Sequence, residues 1–198
     1  MKTDIILSGV GGQGILSVAT IIGEAATRMG LTLKQAEVHG MSQRGGDVQS
    51  NLRLSDGCIA SDLIPLGTVD MILSLEPMEA LRYLPYLATD GWIITSSVPF
   101  KNIPNYPDET ELAAELGAQP RVVALDVEAL ARDNHIPRSA NVILLGAASD
   151  FLKILDASTL RESVGCIFAS KGEAMVEANL RAFDIGYDYV KQLNLNAL

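Results

Sequence analysis

The chain has 198 residues, 48% of them apolar, which is enough to close one hydrophobic core. Twenty-four acidic against fifteen basic side chains give a net charge of -9, so the summed field repels phosphate polyanions and argues against a nucleic-acid partner. Two cysteines cannot supply the four thiolates of an iron–sulfur cluster, the two cysteines and two histidines show no zinc-ligand cluster at the usual spacing, and no apolar run of about 18 residues is long enough to span a bilayer.

These limits predict a single soluble, cytoplasmic domain over residues 1–198 whose redox cofactors, where it needs them, sit on another chain. Cys58 and Cys166 are far apart and each lies in an apolar stretch, so both are expected as small core residues rather than as a disulfide pair.

Thr3 to Ser8 is a short apolar run ahead of a glycine cluster, the pattern of a buried parallel strand. From Gln13 to Met29 the residues Ile15, Leu16, Ala19, Ile22 and Ala26 recur at helical spacing, and Gly30 stops that helix. Leu31 to Val38 reads as a second strand and completes a β-α-β unit. Asp47 to Leu54 and Cys58 to Ile64 flank Ser-Asp-Gly, which predicts an antiparallel hairpin between them. Val69 to Leu75 and Trp92 to Val98 return to apolar strands, separated by a helix that opens on Pro77 and runs to about Leu87. Pro99, Pro104 and Pro107 make the following stretch a loop. Arg121 to Asp126 is a late strand, Val127 to Asn134 a short helix, and Ser139 to Leu155 a long apolar helix suited to close packing. Helices opening near Ser158 and Lys171 finish the chain. The fold class expected is α/β, a Rossmann-like, mostly parallel sheet with an antiparallel hairpin insert and a helical C-terminal third.

Gly9 to Gly14 reads GVGGQG, a G-x-G-x-x-G turn between a strand and a helix. Gly9 suits the tight turn, Gly11 the close approach of a phosphate, and Gly14 close packing, while the helix N-terminus offers free N–H groups to an anion. The other reading is a plain tight turn, and the motif by itself does not choose between them. Glu37 stands where a dinucleotide fold keeps its ribose-binding acid. Gly12 and Gln13 fill the turn, however, and a polar loop follows Glu37 where a helix would be needed, so bound NAD is discounted.

That loop, EVHGMSQRGG, gathers His39, Ser42, Gln43 and Arg44 ahead of Gly45 and Gly46. An imidazole, two neutral hydrogen-bonding groups and a guanidinium fork can recognise an anion or a partner surface; the alternative is a loop whose polar groups pair locally. Arg53 on the next strand is expected to support it from behind. Glu76, before Pro77, is expected to cap a helix, and His135 to sit in a turn. Ser96 and Ser97 lack any nucleophile-elbow pattern, so no self-contained hydrolase is expected and no catalytic residue is assigned.

GVGGQG together with EVHGMSQRGGDVQSNLR and the strand end DMILSLEP resembles the gamma-type domain of the 2-oxoacid:ferredoxin oxidoreductases, particularly the indolepyruvate type, over essentially the whole chain. The resemblance implies a small subunit that is inactive alone. It also implies that thiamine diphosphate, Mg and iron–sulfur clusters sit on a large partner subunit, with ferredoxin reached through that partner and coenzyme A as cosubstrate. On that reading Gly9, Gly11, Gly12, Gln13 and Gly14 are a coenzyme A phosphate or partner contact, and the His39 to Gly46 loop an anion or interface loop. A free-standing dinucleotide-binding module and a pyruvate- or 2-oxoglutarate-type gamma subunit are the alternatives.

Overall fold

The computed structural model describes residues 1–39, 46–101 and 103–193. In chain order the elements are β1 (Lys2–Val10), α1 (Ile15–Arg28), β2 (Thr32–His39), β3 (Asp47–Ser55), β4 (Val69–Ser74), α2 (Pro77–Arg82), β5 (Leu87–Ser96), α3 (Glu109–Gly117), β6 (Val122–Leu125), α4 (Val127–Asp133), α5 (Ala140–Ala148), α6 (Ala157–Phe168) and α7 (Glu173–Gln192). Among the described residues no helix is long and apolar enough to cross a membrane.

The strands form one sheet in the order β2-β3-β1-β4-β5-β6. β1, β4, β5 and β6 run parallel, while β3 lies antiparallel between β1 and β2. Side chains alternate across the sheet, so β1 sends Ile5 and Leu7 to one face and Ile6 to the other. The first face is covered by α1, α4, α5, α6 and α7, and the second by the smaller pair α2 and α3 around Ala80, Tyr83 and Leu116.

α5 is buried along its whole length and crosses α7 closely. A Cβ on Gly146 would lie 2.0 Å from the Phe183 carbonyl oxygen, and one on Gly186 would lie 1.9 Å from that of Ile143. Glycine at both positions is what lets the two backbones touch.

The expected β-α-β unit, the parallel strands and the helical C-terminal third are all present. The antiparallel insert is present too, but its pairing differs. β3 pairs with β2, the strand before it in the chain, and not with the chain from Cys58 to Ile64, which forms no strand. Both edges of β3 are occupied, by β1 and β2, so the later segment has no ladder to join. Instead Arg53 Nη1 donates to the carbonyls of Ser61 and Leu63 at 2.9 and 2.8 Å.

The proline-rich loop runs only to Asp108, whose side chain accepts from the N–H groups of Thr110 and Glu111 and starts α3. The long apolar helix ends at Ala148, where a tighter turn takes over and Ser149 Oγ donates to the Gly146 carbonyl at 2.7 Å. Cys58 and Cys166 are free and exposed rather than buried. Cys58 lies in the irregular segment after β3, and Cys166 on the side of α6 away from its buried Leu160, Ser163 and Val164.

Candidate functional site

The carboxyl ends of β1, β4, β5 and β6 share one edge of the sheet. α1 leaves β1 toward one face and α2 leaves β4 toward the other, so the crevice between β1 and β4 is the topological switch point where open α/β sheets receive ligands. The glycine turn stands there. Gly9, next to last in β1, lies opposite Val48, and Gly14 at φ 87° is the N-cap of α1. Gly14 needs that left-handed backbone, and its carbonyl accepts from Asn141 Nδ2 at 3.1 Å.

Gln13 does not reach outward to a ligand. Its Oε1 accepts from the Val10 N–H at 2.7 Å and its Nε2 donates to the Leu75 carbonyl at 3.1 Å, so it stitches the ends of β1 and β4 together across the crevice.

The second motif meets the first here. Gly11 N–H donates to the Gly46 carbonyl at 2.8 Å, which fixes the end of the polar loop against the glycine turn. Gly46 is thereby placed. The side chain of His39, and Ser42, Gln43, Arg44 and Gly45, lie outside the described residues. Glu37 sits on the edge strand β2 opposite Ser50, with Gln35 Nε2 donating to its Oε1 at 2.6 Å, and β3 separates it from β1.

Arg53 does not support the loop. It lies toward the other end of β3, opposite Asp4, where Nε and Nη2 grip the fully buried Asp4 carboxylate at 2.8 and 3.0 Å. The ladder alone explains this, since Arg53 is six residues from Asp47 and each strand residue advances the chain about 3.3 Å.

A cleft of about 460 Å³ opens beside the turn. It is lined by Gly11, Gly12 and Gln13 of the turn and by Phe100, Glu128, Arg138 and Asn141. Asn141 and Ala140 belong to the first turn of α5, so the start of α5 borders the cleft together with the turn that leads into α1. Sequence reasoning singled out none of Phe100, Arg138 and Asn141. Asn141 carried a signal, a lone amide inside the run ANVILL, whereas the positions of Phe100 and Arg138 depend wholly on how their loops fold back. A smaller hollow of about 260 Å³ lies on the far side of the turn, between Leu16, Ser17 and Val48.

Glu76 does cap α2, accepting from the Glu79 N–H at 2.8 Å through Oε2. Its other oxygen accepts from the Tyr106 hydroxyl and from the Phe100 N–H at 3.4 Å. Glu76 is 0% exposed and burial pushes its carboxyl up from the ordinary value, against the downward pull of the Tyr106 hydroxyl and two backbone N–H groups. Burial likewise raises the Tyr106 phenol, and takes that of Tyr83 up to about 12. Nearby Glu79 is buried but held by Arg82 Nε and Nη2 at 2.8 and 3.1 Å. His135 is an exposed turn residue at φ 59°, and Ser96 Oγ donates to the Val98 carbonyl and accepts from its N–H.

The family model of pyruvate ferredoxin/flavodoxin oxidoreductase matches residues 4–189. The chain is 35% identical to indolepyruvate oxidoreductase subunit IorB of Thermococcus kodakarensis over 96% of both chains. It is 34% identical to IorB of Methanothermobacter thermautotrophicus over 94% of this chain and 97% of that one. The fold is shared with the gamma subunit of a keto/oxoacid ferredoxin oxidoreductase from Geobacter sulfurreducens, at a TM-score of 0.72 and 24% identity over 96% of this chain and 99% of that one. It is also shared with a 2-oxoglutarate:ferredoxin oxidoreductase from Magnetococcus marinus, at a TM-score of 0.76 and 24% identity, where 98% of this chain covers 32% of the longer one. With the glycine turn joined to the polar loop at the sheet's carboxyl edge and a family match over nearly its full length, the chain belongs to the pyruvate ferredoxin/flavodoxin oxidoreductase family, as a small subunit of a 2-oxoacid:ferredoxin oxidoreductase.

Proposed function

We propose that this subunit serves an indolepyruvate-type enzyme of the cytoplasm, which decarboxylates an aryl 2-oxoacid, passes the electrons to ferredoxin and leaves the acyl group on coenzyme A. The cofactors of that reaction do not fit this chain. Its two cysteines fall short of a cluster's four thiolates, and the described residues contain no group of three or more His, Cys, Asp or Glu able to hold a metal. Thiamine diphosphate, Mg and the iron–sulfur clusters therefore belong to a large partner subunit, without which this chain is inactive.

What this chain contributes is the cleft at the glycine turn, which receives a phosphate of coenzyme A. The observation that carries this reading is the bond from Gly11 N–H to the Gly46 carbonyl, because it holds the end of the polar segment against the glycine turn, beside a cleft lined by that turn, the N-terminus of α5 and Arg138. In a chain of net charge -9, such local positive features are what can draw an anion in. His39, Ser42, Gln43, Arg44 and Gly45 extend the same proposal to the rest of the polar loop, as a second anion contact or a contact to the partner. A dinucleotide is disfavoured. Gln13 bridges the switch-point crevice, and β3 sets Glu37 about 10 Å from β1, two strand spacings away.

The test is reconstitution with the thiamine- and cluster-bearing subunit, followed by 2-oxoacid-dependent dye reduction. Arg138→Ala should raise the KM for coenzyme A about tenfold, the worth of one charge-assisted contact of about 1.5 kcal/mol, and leave the KM for the 2-oxoacid in place. Gly11→Val should act in the same direction. Turnover by the isolated chain overturns the subunit reading, and normal coenzyme A kinetics in both variants overturns the assignment of the cleft.

A further inference from the structure

The carboxylate of Glu76 is used twice. Oε2 caps α2, whereas Oε1 holds two points of the loop between β5 and α3, the N–H of Phe100 near its start and the hydroxyl of Tyr106 near its end. Prolines at 99, 104 and 107 deny that loop three N–H donors, so it has few ladder bonds of its own with which to hold a shape. Its apolar side chains are not buried either, since Phe100 is 48% and Ile103 44% exposed.

A buried carboxylate without a cationic partner is costly, and no ion pair involving Glu76 is present among the described residues. The guanidinium of Arg82, six residues on, is taken by Glu79. A helix cap needs only one oxygen at the end of a strand and can be supplied by an exposed Asp or Ser. The second oxygen, buried and aimed at the loop, is what the cap leaves unexplained. Through Phe100 the loop becomes a wall of the cleft that also contains Gly11, Gly12 and Arg138.

We propose that Glu76 is a positioning residue that clamps the Phe100–Tyr106 loop through Oε1 and so fixes the wall of the cleft facing the glycine turn. It touches neither ligand nor cofactor and acts through Phe100. The part that concerns coenzyme A rests on the function proposed above; the clamp itself does not.

Tyr106→Phe removes the stronger of the two loop contacts, leaving the longer one from the Phe100 N–H and the cap on α2 in place. In the full chain, amide hydrogen exchange of the peptide carrying Phe100 should quicken about tenfold in this variant, while α2 exchanges as before. In the reconstituted complex the KM for coenzyme A should rise about tenfold with kcat moving less than twofold. Adding Tyr106→Phe to Phe100→Ala should raise that KM no further, because a clamp without its wall has nothing left to position; a merely structural tyrosine would make the two effects add. Unaltered exchange in Tyr106→Phe, or additive KM effects in the double variant, overturns the clamp. If Arg138→Ala and Tyr106→Phe both leave coenzyme A kinetics alone while exchange still quickens, the clamp stands and the ligand assignment falls.

Discussion

Gly14→Ala tests whether the glycine turn is built as described. Gly14 has φ 87°, a left-handed backbone that costs an L-residue about 1–2 kcal/mol. A Cβ there would also sit 2.6 Å from Asn141 Nδ2, so the amide must swing away and give up its bond to the Gly14 carbonyl, a further loss of about 1 kcal/mol. The sum is a destabilisation of about 2–3 kcal/mol, read as a lower urea midpoint at unchanged slope. A double-mutant cycle separates the two parts. Asn141→Ala alone removes only the hydrogen bond, and in that background the Cβ has nothing to strike, so Gly14→Ala should then cost only its backbone strain. The coupling between the two sites should be about 1 kcal/mol. A Gly14→Ala protein within about 0.5 kcal/mol of the parent would refute the left-handed cap, and purely additive costs would refute the Asn141 contact.

Gly146→Ala forces a methyl group to within 2.0 Å of the Phe183 carbonyl, so α5 and α7 must separate; a loss of about 3 kcal/mol by urea unfolding is expected. Asp4→Asn leaves Arg53 without its buried carboxylate and should cost about 3 kcal/mol, while limited proteolysis should find the segment around Ser61 to Leu63 easier to cut. Glu76 is raised in the folded state, so its contribution to stability is fully present below about pH 4.5 and is lost as pH rises through the folded value. Glu76→Gln should therefore flatten the decline of unfolding free energy above that pH, leaving only the part owed to Asp70, which burial also raises. An unchanged pH profile in Glu76→Gln would show that this carboxyl titrates normally.

Local physics was legible in the chain. The strand and helix around GVGGQG, the proline that opens α2 with Glu76 capping it, and the apolar strands of β4 and β5 follow from period, cap and turn chemistry, although α2 stops at Arg82 rather than near Leu87 and β5 begins at Leu87 rather than Trp92. Even α3 left such a mark, since Asp108, Glu111, Leu112, Leu116 and Gly117 make a cap, an i to i+4 apolar pair and an end. It was hidden by the prolines just ahead of it. The family resemblance likewise rested on motifs that are contiguous in sequence.

Pairing and enclosure were not legible, because they are choices among distant segments. Asp47–Ser55 suits an antiparallel ladder with either neighbour, and the sheet chose β2 and β1, which left the segment after Cys58 outside it. The same choice set Arg53 on Asp4 instead of behind the polar loop. Both cysteines sit in apolar surroundings by sequence, yet exposure depends on which side of an element faces the core. The sequence by itself determined the turn and its helix, and presented the polar run from Glu37 to Gly46 as a separate piece. Only the tertiary structure decided that Gly11 and Gly46 touch, that Gln13 closes the crevice between β1 and β4, and that Phe100, Arg138 and Asn141 come from three other segments to make the cleft. Periodicity and capping act over a few residues of chain, whereas a cleft is defined by loop ends that meet only after the sheet has fixed its strand order.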